Sequence, residues 1–172
     1  MRTAFLLAFG ANLVLDVILL ILLPERAASH FGPGGAPDSW ASKETFMLLM
    51  LGVQTFMLIL FLAMPAIVPK VPRSLVNLPN KDYWLREENR PALRAKLRAF
   101  SYEMGIALLA LLFAAGLLTL QANLSDPVRL NPAIFILLPV ALLIYTIIRG
   151  MRFLSGFRLP GRTDRKTPAN PS

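Results

Sequence analysis

Four apolar runs, Thr3 to Leu23, Thr45 to Val68, Phe100 to Leu120 and Asn131 to Ile148, constrain this chain more than any motif in it. Each is close to the roughly 20 residues that a helix rising about 1.5 Å per residue needs to cross about 30 Å of hydrocarbon. Membrane-spanning strands would alternate apolar with polar residues. Val17 to Leu23 and Ile106 to Ala115 are instead apolar at every position, as helices bathed in lipid or buried in a bundle are. The expected fold is an all-α integral membrane protein, with four transmembrane helices in two hairpins forming one domain over residues 1–154.

Lysine and arginine predict which ends face the cytoplasm, because basic residues beside a span are retained there. Lys70, Arg73, Lys81, Arg86, Arg90, Arg94, Lys96 and Arg98 lie between the second and third runs, and Arg149, Arg152, Arg158, Arg162, Arg165 and Lys166 follow the fourth. With Arg2 these make fifteen of the eighteen basic residues, against Arg26, Lys43 and Arg129 on the other side. Both termini are therefore expected in the cytoplasm, and the protein in the inner (cytoplasmic) cell membrane. The first run follows Arg2 as a signal peptide would. It exceeds a signal core of about 7–15 residues and contains Asn12 and Asp16, so a retained helix is expected.

A net charge of +8 suggests nucleic acid in a soluble protein. Here the cations flank membrane spans, where anionic lipid headgroups attract them, and no nucleic-acid partner is expected. The absence of cysteine excludes disulfides, thiolate metal sites and cysteine catalysis.

Residues 70–99 read as a cytoplasmic interfacial loop. In it Asn77, Leu78, Pro79, Asn80, Lys81, Asp82, Tyr83 and Trp84 combine turn formers with an amphipathic aromatic pair suited to the headgroup level. Asn89 and Pro91 read as cap and first turn of a helix running through Leu93 and Leu97 into the third span. Residues 155–172, rich in proline, glycine and charge, are expected to be a disordered cytoplasmic tail. Pro65 and Pro139 interrupt apolar runs and free backbone carbonyls that neighbours must satisfy.

Few side chains carry chemistry. Asn12 and Asp16 share one face of the first helix, and Gln54 lies at nearly the same depth on the second, so the three are expected to form a buried polar cluster. A lone carboxylate in hydrocarbon costs at least about 2.5–3.5 kcal/mol, so Asp16 should face the bundle, hydrogen-bonded or protonated. The cluster reads either as interhelical hydrogen bonding or as a proton- or cation-responsive site. Glu103 is expected to form an interfacial ion pair with Arg149 or Arg152. Met50, Met57 and Met64 recur at seven-residue spacing and read as adaptable packing.

The outer loop, Leu23 to Lys43, is the most distinctive stretch. Gly32, Pro33, Gly34, Gly35 and Pro37 impose turns, Phe31 and Trp40 can anchor at the interface, and Ser42 or its neighbours can cap the second helix. His30, the single histidine, makes with Asp38 an incomplete metal site, so no metal or other cofactor is assigned. Ser42 and Lys43 are adjacent and need not face each other as a dyad, so no catalytic residue is assigned and no enzyme is expected.

The order Leu23-Pro24, then His30-Phe31 followed by Gly32 and Gly35, then Pro37-Asp38-Ser39-Trp40-Ala41-Ser42-Lys43, resembles the signature of the membrane-protein family known as domain of unknown function number 1648. That domain occurs in the Sdp-type immunity proteins of bacteria, which protect a cell from a secreted killing peptide and, in the best-known case, also act in signalling. The resemblance covers roughly Asn12 to Pro69, and Asn77 to Trp84 is similar to a further motif of relatives. The immunity proteins themselves are longer and carry more spans after the shared domain. The resemblance implies a bacterial, multi-pass binding, immunity or signalling protein, whose loop meets a peptide or membrane-protein partner through His30, Phe31, Asp38, Trp40 and Lys43. The alternative class is a small transporter or permeation accessory built on Asp16, with a homo-oligomer supplying the pathway.

Overall fold

A computed structural model describes residues 1–158. In chain order it contains α1 (Arg2–Leu22), strands β1 (Arg26–Phe31) and β2 (Pro37–Ser42), α2 (Lys43–Ile67), the single-turn α3 (Lys81–Trp84), α4 (Arg90–Asn123) and α5 (Pro132–Ser155). Helices α1, α2, α4 and α5 are long and apolar enough to cross a membrane. Leu7, Val14, Ile21, Leu48, Phe56 and Leu137 stand exposed along them. Such continuous apolar cover suits lipid rather than water.

At about 1.5 Å per residue, α1 with its 21 residues is about 31 Å long, one hydrocarbon thickness. Helix α4 has 34 residues and overshoots that thickness, so its first turns belong to the basic end. They start where expected, with Pro91 in the first turn. Asn89 occupies the cap position, but its side chain does not cap the helix; it donates to the Tyr83 carbonyl, 2.8 Å away.

Helices α1, α2 and α4 form the packed bundle, and α5 lies against α4 with no buried residue of its own. One apolar cluster joins Leu15, Leu19, Leu23, Ala27, Phe46 and Met47 beneath the hairpin, with Met50 against it. A second joins Phe5, Phe61, Tyr102, Met104 and Leu109 nearer the basic end, with Met57 against it. Phe5 stacks on Tyr102 at 5.6 Å and fills the space over Gly105, where any Cβ would collide with its ring. Gly116 gives Leu15 and Leu19 the same close approach. Small residues let helices touch where lipid supplies no hydrophobic drive between them.

Two expectations need correction. The fold is not wholly α-helical, because the loop between α1 and α2 is a two-stranded antiparallel hairpin with irregular register around His30. The stretch from Ser155 is not structureless at its start: Ser155 ends α5, and Phe157 is fully buried. Phe157 packs with Trp84, Leu85, Leu93 and Leu97 in a third cluster, and the remainder of the expected tail, 159–172, lies outside the described residues.

Candidate functional site

The hairpin is fastened from below by side chains of α4 and of the connection to α5. The Asn123 amide, buried at the end of α4, accepts from the Ala28 backbone N–H at 2.7 Å and donates to the Ala28 carbonyl at 3.1 Å. Both backbone polar groups of Ala28 are thereby held by α4. At the tip, the Arg129 guanidinium donates to the Gly34 carbonyl at 3.1 and 3.3 Å, and the Leu130 N–H donates to the Gly35 carbonyl at 2.8 Å. Gly35 has φ +78°, and a Cβ there would overlap the Leu130 carbonyl. Glycine therefore serves both the left-handed turn and the close approach of the α4–α5 connection. At the base, Lys43 donates to Glu25 at 2.7 Å, and the Ser42 hydroxyl accepts from the Thr45 N–H at 3.2 Å, capping α2 as expected.

Of the five loop residues singled out, the structure displays three and withdraws two. His30 Nδ1 pairs with Asp38 on the exposed surface, each more than half accessible, and Trp40 is 41% exposed on β2. Phe31 instead turns inward against Ala28, Ala122 and Leu130, so it supports the hairpin from beneath and is not open to a partner. Lys43 is tied to Glu25 at the hinge of hairpin and helix. Among the described residues no further carboxylate joins His30 and Asp38 to make a third metal ligand.

The polar cluster forms in part. Gln54 Nε2 donates to Asp16 Oδ1 at 3.2 Å across α1 and α2. Asn12 does not join them: its amide donates to the Ala8 carbonyl at 2.9 Å and to the Leu109 carbonyl of α4 at 3.2 Å. An asparagine inside a helix readily bonds the carbonyl one turn back, and this leaves its second donor for the neighbouring helix. Asn12 Oδ1, Asp16 Oδ2 and Gln54 Oε1 remain buried without a donor. Buried acceptors without a donor are uncommon.

Glu103 meets Arg149 and not Arg152, and its carboxylate also accepts from the Tyr145 hydroxyl at 2.7 Å, a partner that the charge pattern alone did not indicate. The segment from Asn77 to Trp84 acts as a clasp. Asn80, in left-handed conformation at φ 54°, donates to the Phe157 carbonyl at 2.8 Å, and Trp84 Nε1 donates to the same oxygen at 3.1 Å. Lys96 adds a bond to the Gly156 carbonyl at 3.1 Å and lies 5.3 Å from the centre of the Trp84 ring. Trp84 thus faces protein rather than headgroups.

The residues that sequence reasoning missed are Asn123, Arg129 and Phe157. Asn123 at the end of an apolar run carried a signal, since a polar amide there needs partners; the pairings of Arg129 and Phe157 are long-range and left no local trace.

No curated protein and no solved structure matches the chain. A family model, described as Domain of unknown function (DUF1648), matches residues 7–55. The match starts earlier than the expected Asn12 and stops short of Pro69, covering most of α1, the whole hairpin and the first half of α2 through Gln54. Residues 7–55 of this chain, which present the His30–Asp38 pair, Trp40 and the Asp16–Gln54 bond, are thus the part that matches the family Domain of unknown function (DUF1648).

Proposed function

We propose that this is a membrane-embedded recognition protein that meets a peptide or protein partner through its β-hairpin, and that it is not an enzyme. The observation that carries the reading is the pairing of a fastened backbone with displayed side chains: Asn123, Arg129 and the Gly35 turn hold the hairpin, while His30, Asp38 and Trp40 face outward. A large aromatic held on a rigid scaffold is the type of group that dominates binding energy at interfaces. Among the described residues no strand lies beside the outer edge of β2, whereas Ala28 of β1 is occupied by Asn123. An extended peptide pairing with β2 is therefore the partner that the geometry favours. The skew of Lys and Arg to one side of the spans supports a reading with the hairpin outside and both termini inside a bacterial cytoplasmic membrane, where Lys and Arg would meet anionic headgroups. Immunity against a secreted peptide, or signalling of its arrival, is the role that family resemblance adds.

Purification from native membranes in mild detergent, followed by mass spectrometry, tests the reading. A partner retained by the wild type and lost from a His30→Ala, Trp40→Ala variant is expected. Identical retention by both would overturn the proposal.

The three donor-less oxygens of Asn12, Asp16 and Gln54 favour a second reading, transport or permeation assistance, in which a proton or small cation supplies the missing donor or charge. Flux into liposomes that vanishes in Asp16→Asn would establish it; equal flux from both proteins would remove it.

A further inference from the structure

A crevice between α4 and α5 has one polar and one apolar half, joined at Glu103. Toward the basic end a cavity of about 280 Å³ is lined by Lys96, Phe100, Glu103, Arg149 and Arg152. Toward the middle of the spans a cavity of about 390 Å³ is lined by Glu103, Ile106, Ala107, Ala141, Leu142 and Tyr145. On α4 the positions 96, 100, 103 and 107 recur at helical spacing, so both cavities follow one face. From Lys96 to Ala107 the helix advances about 16 Å, close to the roughly 15 Å of one hydrocarbon leaflet.

The charges in the polar half are not balanced. Arg149 is matched by Glu103, whose carboxylate is further engaged by the Tyr145 hydroxyl. Lys96 spends one donor on the Gly156 carbonyl and keeps the other N–H groups free for an acceptor. The exposed Arg152 guanidinium has no hydrogen-bond or ion-pair partner among the described residues. Two cations without a carboxylate partner at headgroup depth, opening onto an apolar groove walled by the small Ala107 and Ala141, match a phosphodiester with an attached acyl chain. A soluble anion would leave the apolar half empty. Helix α5 has no buried residue, and its exposed apolar side chains leave this face open to lipid.

We propose that the α4–α5 crevice binds one anionic phospholipid, its phosphodiester between Lys96 and Arg152 and one acyl chain along Ile106, Ala107, Ala141 and Leu142. The site is separate from the hairpin and does not depend on what the hairpin meets.

Native mass spectrometry of the full chain, released from nanodiscs holding equal phosphatidylglycerol and phosphatidylcholine, reads the site directly. One retained phosphatidylglycerol per chain is expected, preferred over phosphatidylcholine by at least about fivefold per unpaired cation. Arg152→Gln lowers that preference by about fivefold, Arg152→Lys keeps it, and Ala141→Trp, which fills the groove, abolishes retention of either lipid. Positions 141 and 152 are both exposed, so neither change disturbs the packed bundle, and equal melting of the lipid-free proteins confirms this. Equal retention of the two lipids, an unchanged preference in Arg152→Gln, or displacement of the lipid by millimolar glycerol phosphate would each overturn the proposal.

Discussion

The two ends of the bundle are built with the same device and put it to opposite use. At the basic end, Asn80, Trp84 and Lys96 grip the backbone at Gly156 and Phe157, and the aromatic rings close over one another until Trp84 is 7% exposed. At the hairpin end, Asn123 and Arg129 grip the backbone at Ala28 and Gly34 just as firmly, yet Trp40 remains 41% exposed. A tryptophan that folding needs is covered by the chain itself. One that folding leaves uncovered, on a backbone held this tightly, is available to something else.

Substitutions can break or sharpen that contrast. The largest loss of stability is expected from Trp84→Ala, about 3–5 kcal/mol, because it empties a packed cluster outside the spans and removes a bond to Phe157. Thermal unfolding in mild detergent measures it, and partner binding at the hairpin should survive in the protein that remains folded. Asn123→Leu keeps the volume but leaves the N–H and carbonyl of Ala28 unpaired, for about 1–3 kcal/mol. Here the hairpin is released, so faster amide hydrogen exchange confined to β1 and β2 is the diagnostic result. Ser42→Ala removes the cap of α2 and costs about 1 kcal/mol in the same unfolding assay. Trp40→Ala should shift stability by less than about 0.5 kcal/mol, as exposed positions do. A loss as large as that of Trp84→Ala would mean that Trp40 is structural and would erase the difference between the ends.

The spans were legible because bilayer thickness imposes a length that composition alone reveals. The Glu103 ion pair and the Ser42 cap were legible because their partners are fixed by helix ends and depth. The hairpin was not. Ala27, Ala28 and Ser29 in β1, and Asp38, Ser39 and Ala41 in β2, lack the β-branched residues that announce strands, and glycines and prolines between them read as loop. What makes them strands is pairing to each other over Asn123 and Arg129, residues about 95 positions away. The same distance in sequence hid the Phe157 clasp. The burial of Phe31 separates it from Trp40, although both aromatics suggested interfacial anchors, because the irregular register around His30 turns one in and leaves the other out.

The most direct test of recognition by the hairpin places a photo-crosslinking phenylalanine at position 40 in one protein and at position 31 in another, and irradiates each in native membranes. A discrete adduct from position 40 that weakens when Asp38→Ala is added, with none from the inward-facing position 31, is the predicted result. The account would be contradicted by no adduct at position 40, or by the same adducts from both.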